Sequence, residues 1–378
     1  MSRERIPFNK PYFTGSETVY IEEAVQSGKI SGDGIFTSKV QRWFEDRYDF
    51  GKCLLTTSCT DALEMSAILM ELNPGDEVIL PSYTFVSTAN AFALRGAKLV
   101  FADSSPEHPN IDAGLLSSLI TPKTKAIVVV HYAGMACDID QVLRLCEDHN
   151  LFLVEDAAQA VESFYKGKAL GSFGHFATFS FHETKNIMSG EGGMLVVNDE
   201  RFIKRAEIIR EKGTNRSAFF RGEVNKYNWV DIGSSFLPSD IIAAVLFAQL
   251  ERIDSIQEKR IQHWKSYEAK LRPLQAQLGF KLPIVPEKAS NNAHMFYMVW
   301  PSADLRDRAI EAMKSKNIQA VFHYLSLHSS PYFQEKHDGR NLPNSDHFTN
   351  GLLRLPLYFE LPDNAAERVA SALKTIIQ

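Results

Sequence analysis

Cysteine is scarce and unpatterned. The 378-residue chain has four, Cys53, Cys59, Cys137 and Cys146. Their spacing makes neither a disulfide framework nor a metal box, which fits a reducing compartment, so the cytoplasm is the expected location. No apolar stretch approaches the roughly 20 residues a membrane helix needs. The first residues, Met1 to Pro7, carry no apolar signal region. Basic charge is not clustered. The formal net charge is −5, and the Lys204-Arg205 pair reads as a solvated helix face, which argues against nucleic-acid binding by phosphate neutralisation. There is no internal repeat and no low-complexity tract. What is present, 44% hydrophobic and 11% aromatic residues, is enough for a large core and suggests two domains.

The apolar runs are regular. Seven candidate strands fall at 53–57, 77–80, 99–102, 126–131, 151–155, 176–181 and 194–197. Helical spacing separates the first five, at 60–71, 86–94, 113–120 and 139–149. Continuous apolar runs alternating with helices predict an α/β fold whose mostly parallel sheet is covered on both faces. The last two strands lack a helix between them and are candidates for antiparallel pairing. Helical spacing then continues over about 239–272; unbroken, such a helix would span roughly 50 Å and would link two domains. This predicts a large domain over 1–250, including an N-terminal arm, and a small α+β C-terminal domain over 251–378.

The chemistry concentrates around Lys185. The run 176–181 stops at this lysine, a Gly-rich turn follows (Gly190, Gly192, Gly193), and a second apolar run begins. A lysine held tightly between two strands loses solvation, so its pKa falls and it becomes an amine nucleophile. For any single lysine a solvated loop is the better bet; a second constellation, Glu155-Asp156-Ala-Ala-Gln159, changes the weighing. Asp156 ends an apolar run and needs a partner if buried. It either caps a local turn or anchors the N–H of a pyridinium ring. A buried carboxylate and a reactive lysine are what a pyridoxal 5′-phosphate (PLP) enzyme requires of its protein. Ser58-Cys59-Thr60 opens a helix, where free amides bind phosphate as readily as a side chain caps the helix. Ser180, on the strand that delivers Lys185, offers a second hydroxyl. Phe85 could be a ring-stacking platform, but composition alone favours ordinary core. The glycines over 28–34, Gly32 among them, make either an inter-helix loop or a close approach to a ligand.

Taken together, Glu155-Asp156-Ala-Ala-Gln159, Gly171-x-x-Gly174, Phe179-Ser180-Phe-His182-x-x-Lys185 and Gly190-Glu-Gly-Gly193 resemble the DegT/DnrJ/EryC1/StrS nucleotide-sugar aminotransferases over nearly the whole chain. The resemblance implies a PLP-dependent transferase of fold type I, aspartate aminotransferase-like, with a mainly parallel seven-stranded sheet, a small α+β C-terminal domain and a homodimer with interfacial active sites. By position, Lys185 would bind the cofactor covalently, Asp156 would pair with the ring nitrogen, Phe85 would stack on the ring and Gln159 would sit near its hydroxyl. Thr60, Cys59 and Ser180 would hold the phosphate. Many relatives carry Asn-Tyr-Arg where this chain has Ser235-Phe236-Leu237; that Asn reaches the phosphate from the partner subunit. Ser235 is shorter, and Asn228 is a candidate substitute.

Local detail at His182-Glu-Thr-Lys185-Asn, Arg210 to Arg216, Asp231 to Ser235 and Val321-Phe-His-Tyr324 resembles a branch that aminates dTDP-4-keto-6-deoxyglucose. L-glutamate would be the amino donor and the galacto 4-amino sugar the product, with a role in surface polysaccharide assembly. Gly32, His323, Tyr324 and His328 are candidates for contacts to the nucleotide-sugar. Three alternatives stand beside this: a sugar dehydratase, which carries His in place of the lysine; a sister aminotransferase with another keto sugar or the gluco product; and a non-catalytic PLP-binding regulator. No metal site is expected.

Overall fold

The computed structural model describes residues 4–376. Two helices, α1 (Glu17–Gln26) and α2 (Ile35–Tyr48), precede an alternation of strands and helices: β1 (Lys52–Thr56), α3 (Cys59–Leu69), β2 (Glu77–Pro81), α4 (Val86–Ala93), β3 (Lys98–Ala102), β4 (Thr124–Val130), α5 (Ile139–His149) and β5 (Phe152–Asp156). A two-stranded hairpin, β6 (Phe164–Tyr165) and β7 (Lys168–Ala169), leads to β8 (Phe176–Ser180) and β9 (Gly193–Val197), and two short helices follow, α6 (Ile203–Arg210) and α7 (Arg216–Phe220). Seven of these strands form one sheet in the order β1-β9-β8-β5-β4-β2-β3. The β2–β3, β2–β4, β4–β5 and β5–β8 pairs are parallel, and β9 runs antiparallel to both neighbours. The expected α/β fold with its mainly parallel seven-stranded sheet is thus observed.

Residues alternate between two cores on the sheet's faces. Leu55, Ile79, Val129 and Leu153 point to one; Leu54, Val78, Val128 and Val154 point to the other. Burial of both faces is why the strands read as continuous apolar runs rather than alternating ones.

The helix expected over 239–272 is two helices, α8 (Asp240–Leu250) and α9 (Ile253–Leu271). The interruption falls at Glu251–Arg252, where Arg252 leaves helical geometry (φ −115°, ψ 9°). Leu250 and Ile253 are both buried, so apolar spacing runs across the break without marking it. The stretch expected as a helix near 113–120 is a 3₁₀ helix, Ala113–Leu119.

Along α9 the packing changes partner. Ile253 and Ile256 belong to the large sheet's core, whereas Trp264, Tyr267 and Leu271 pack into a second core built on a three-stranded sheet. That sheet has the order β10-β12-β11, with β10 (Phe296–Val299), β11 (Val321–Phe322) and β12 (Leu352–Leu355). Two helices cover it, Ala303–Lys314 and Ala365–Leu373. The central strand, β12, is absent from the sequence-based expectation.

A candidate active site between the two sheets

The carboxyl ends of parallel strands are where an open α/β sheet leaves room for a ligand. Here they open into a cavity of about 1040 Å³ closed on its far side by the small sheet. Val130, Asp156 and Ser180 bring it the ends of β4, β5 and β8, while His294, His323, Tyr324 and Arg354 line the opposite wall.

Lys185 lies inside this cavity, on the turn between β8 and β9. Its backbone N–H donates to the His182 carbonyl at 2.9 Å, and its amine has no hydrogen bond or ion pair among the described residues. Burial lowers the amine below the ordinary lysine value; Cys59 and Asp156 oppose that shift and Arg354 adds to it. The side chain is therefore closer to a free amine than a solvated lysine would be.

Asp156 faces it from the end of β5. Burial raises its carboxyl above the usual range, while hydrogen bonds from Thr88 and Ala158 hold it down. Thr88 Oγ1 donates to Oδ2 at 2.7 Å, and the Ala158 N–H to Oδ1 at 3.2 Å. These bonds fix the carboxylate and leave acceptor capacity for a donor in the cavity. Gln159 accepts the Ala133 N–H at 2.6 Å and donates to the Tyr324 hydroxyl at 3.2 Å.

A phosphate-sized cradle forms where α3 begins. Ser58 caps the helix by accepting the Asp61 N–H at 3.1 Å. The amides of Cys59 and Thr60 fall in the first turn, which a helix leaves unbonded and favourable to an anion. Gly193 permits this turn to sit against β9: a Cβ there would lie 2.2 Å from the Ser58 carbonyl carbon and 2.3 Å from the Cys59 nitrogen. Ser180 also lines the cavity, accepting the His182 N–H at 3.4 Å. Phe85 is on the rim, 55% exposed, its ring 6.0 Å from that of Tyr324. An unpartnered buried amine, a buried carboxylate and a helix-start cradle in one cavity fit the lysine, ring-nitrogen and phosphate requirements of PLP.

The candidates Lys185, Asp156, Gln159, Cys59, Thr60, Ser180, Phe85, His323 and Tyr324 all line this one cavity. Four others do not. Ser235 pairs with Glu211 through a backbone bridge, and Asn228 is exposed, its N–H bonded to Asn215 at 2.8 Å. His328 is turned away, with Nδ1 2.7 Å from Ser82 Oγ and Nε2 3.7 Å from Asp346. Gly32 makes room for protein rather than ligand: a Cβ would meet Leu237 Cγ at 2.3 Å and the Pro238 carbonyl oxygen at 2.4 Å.

The DegT/DnrJ/EryC1/StrS aminotransferase family model matches residues 12–374. The chain belongs to that family. It is 33% identical to the GDP-perosamine synthase of Caulobacter vibrioides, over 99% of this chain and 98% of the relative. It is 31% identical to the Bacillus subtilis spore coat polysaccharide biosynthesis protein SpsC, over 99% and 97%. A putative sugar aminotransferase from Streptococcus pneumoniae, solved in its PLP form, superposes with a TM-score of 0.89 at 25% identity, covering 99% of both chains. The protein is thus a PLP-dependent aminotransferase of the DegT/DnrJ/EryC1/StrS family.

Several residues of this aminotransferase's site escaped the sequence reading. Thr88, the donor to Asp156, looks like an ordinary helix residue. Glu155 was part of a motif without a role. It is fully buried and accepts from His131 Nε2 (2.9 Å) and the backbone N–H groups of Gly171 (2.8 Å), Phe173 (2.7 Å) and Gly174 (2.7 Å). Arg354 carried a usable signal: a lone charge inside the apolar segment Leu352-Leu-Arg-Leu-Pro356.

Proposed function

We propose that the protein transfers the amino group of L-glutamate to C4 of dTDP-4-keto-6-deoxyglucose, giving dTDP-4-amino-4,6-dideoxygalactose and 2-oxoglutarate. The observation that carries the transfer chemistry is the Lys185 amine, desolvated and unpartnered in the same cavity as the buried Asp156. When bound, the cofactor supplies an electron sink for the carbon that loses a proton. Asp156 anchors its ring nitrogen. Lys185, once free, takes the proton from the donor's α-carbon, and it reverses that transfer on the sugar carbon. The amides of Cys59 and Thr60, with Ser180, hold the phosphate. Phe85 covers one face of the ring, and Gln159 contacts its hydroxyl. His323 and Tyr324 face the sugar.

The assembly in this reading is a homodimer. An exposed set of apolar side chains supports it: Phe220 at the end of the short helix 216–220, Tyr227 and Trp229 on the loop that follows (Trp229 is 82% exposed), and Phe85 on the cavity rim. Ser235 and Asn228 stand on the same loop region, and each is a candidate to reach the partner's phosphate cradle.

A second reading follows from the GDP-perosamine synthase relative: the same chemistry on a GDP-linked 4-keto sugar. Incubating the holoenzyme with L-glutamate and either keto sugar, followed by product NMR, decides between them. A dTDP-sugar with an axial C4 amine is expected. An equatorial amine would replace the galacto assignment by gluco, and turnover of the GDP-sugar alone would overturn the dTDP assignment.

A further inference from the structure

Asn186, the residue after Lys185, sits in a buried polar network that allows it one orientation. The Asn292 carbonyl oxygen can only accept, and it lies 2.9 Å from Asn186 Nδ2. The same amide nitrogen donates to Gln257 Oε1 at 3.0 Å, and Gln257 Nε2 donates in turn to the Asn292 carbonyl. Asn186 Oδ1 is therefore the acceptor that faces His294 Nδ1, at 2.9 Å. A hydrogen bond needs one donor, so Nδ1 carries the proton. Burial, then the cations Lys185 and Arg260, hold the imidazole well below its ordinary value. The ring is neutral, and Nε2 is a bare lone pair.

The ring's place is fixed as tightly as its tautomer. The His294 N–H donates to Asn292 Oδ1 at 2.9 Å, and Asn292 Nδ2 donates to the Gln159 and Val161 carbonyls at 2.7 and 2.8 Å. His294 is 7% exposed and lines the cavity, whereas Asn186 does not. With Nδ1 turned to Asn186, the far end of the ring, which carries Nε2, is what the cavity meets. The ring's one hydrogen bond among the described residues is that to Asn186, so Nε2 is unanswered. A bare ring nitrogen repels a carboxylate or a phosphate and requires an O–H or N–H. An amino donor offers neither, because its amine is the reacting group and its carboxylates only accept. The keto sugar does. Lys185 and His294 line the same cavity, which puts Nε2 within reach of the carbons around C4. Of the two neighbours of C4 in a 4-keto-6-deoxy sugar, C5 bears a methyl group and C3 a hydroxyl. We propose that His294 Nε2 accepts the C3 hydroxyl of the keto sugar and selects for sugars that carry it. This rests on the aminotransferase reading and holds for either nucleotide.

The test compares wild-type holoenzyme with two variants. His294→Asn keeps a donor for Asn186 and removes the cavity acceptor; His294→Gln carries an amide oxygen to the position of the ring tip. Calorimetry uses dTDP-6-deoxyglucose, an unreactive 4-hydroxy analogue, and its 3-deoxy counterpart, together with the same pair linked to GDP. Wild type should bind the 3-hydroxy member about 10-fold more tightly, the scale of one hydrogen bond whose loss leaves a buried group unpaired. His294→Asn should bind both members alike, having lost affinity for the 3-hydroxy sugar, and His294→Gln should recover part of the difference. In turnover, the loss in His294→Asn should be larger in keto-sugar kcat/KM than in single-turnover release of 2-oxoglutarate from L-glutamate. A wild type without the preference, or a preference that survives in His294→Asn, overturns the proposal. Equal losses in both halves also overturn it, because they place His294 on Lys185 instead. Binding of neither pair counts against the nucleotide-sugar reading, and against the proposal with it. Wild-type enzyme that binds the sugars and releases no 2-oxoglutarate counts against the aminotransferase reading alone, and the titration still decides the role of His294.

Discussion

The two walls of the cavity treat buried charge in opposite ways. Behind the large-sheet wall, Glu155 is surrounded by donors: one imidazole and three backbone N–H groups within 2.9 Å. On the small-sheet wall, the Arg354 side chain has no hydrogen-bond acceptor among the described residues. Burial penalises both charged forms. For Glu155 the fold itself offsets that penalty, so its charge is a structural clamp on the Gly171–Gly174 turn beneath β5. For Arg354 no described residue supplies a counter-charge, so its charge is available to a ligand. Partner count, more than burial, separates a charge that holds the protein together from one that holds a substrate.

The largest expected effect lies between the walls. Lys185→Ala should abolish measurable transfer, with about 10²- to 10⁴-fold of the loss from general acid–base catalysis alone, together with the holoenzyme's visible absorbance. Retained wild-type turnover would remove Lys185 from the mechanism. Next comes the clamp. Glu155→Gln leaves buried donors poorly matched and should destabilise the protein by about 3–5 kcal/mol in urea denaturation, in contrast to Arg354→Met. Its pH dependence sharpens the contrast. Burial works to raise the Glu155 carboxyl, but His131 and the glycine N–H groups overcome it and lower it below the ordinary 4.5. A carboxyl lowered in the folded state contributes stability that is complete above pH 4.5 and is lost as pH falls through the folded-state value. Glu155→Gln should therefore flatten the acid limb of the stability profile; an unchanged limb would mean that Glu155 is not the clamp.

Thr88→Val tests a smaller element of the large-sheet wall. Removing the hydroxyl donor to Asp156 should raise that carboxyl further and lower turnover by about 10-fold, with the acid limb of the rate profile moved to higher pH. The mildest prediction concerns the cradle's scaffold: Ser58→Ala should cost about 1 kcal/mol in thermal unfolding through loss of the helix cap.

The two walls also differ in how readable they were. The large sheet was legible because doubly buried strands leave long apolar runs, and Asp156 and Lys185 stood out as charges that end such runs. On the small-sheet wall, strands at 293–300 and 320–324 with a helix at 305–316 between them were legible, and β10, β11 and the helix Ala303–Lys314 answer to them, but β12 was not. β12 is four residues long, interrupted by Arg354 and followed by Pro356, so no run forms. The break between α8 and α9 left no trace because Leu250 and Ile253 keep helical spacing across it. The glycines over 28–34 read equally as an inter-helix loop or as a close approach to a ligand, and they lie on the loop between α1 and α2. Gly32 packs against Leu237 and Pro238, and a Cβ on Gly34 would lie 2.4 Å from the Asp240 carboxylate. What approaches these glycines is the chain itself, and one-dimensional spacing carries no information about that.

The account depends most on Lys185 being the amine that holds the cofactor. Borohydride reduction of the holoenzyme fixes the cofactor to whichever amine carries it, and peptide mass mapping then locates the adduct. The account predicts the phosphopyridoxyl mass on the peptide containing Lys185 alone. An adduct on another lysine, or none at all, would contradict it.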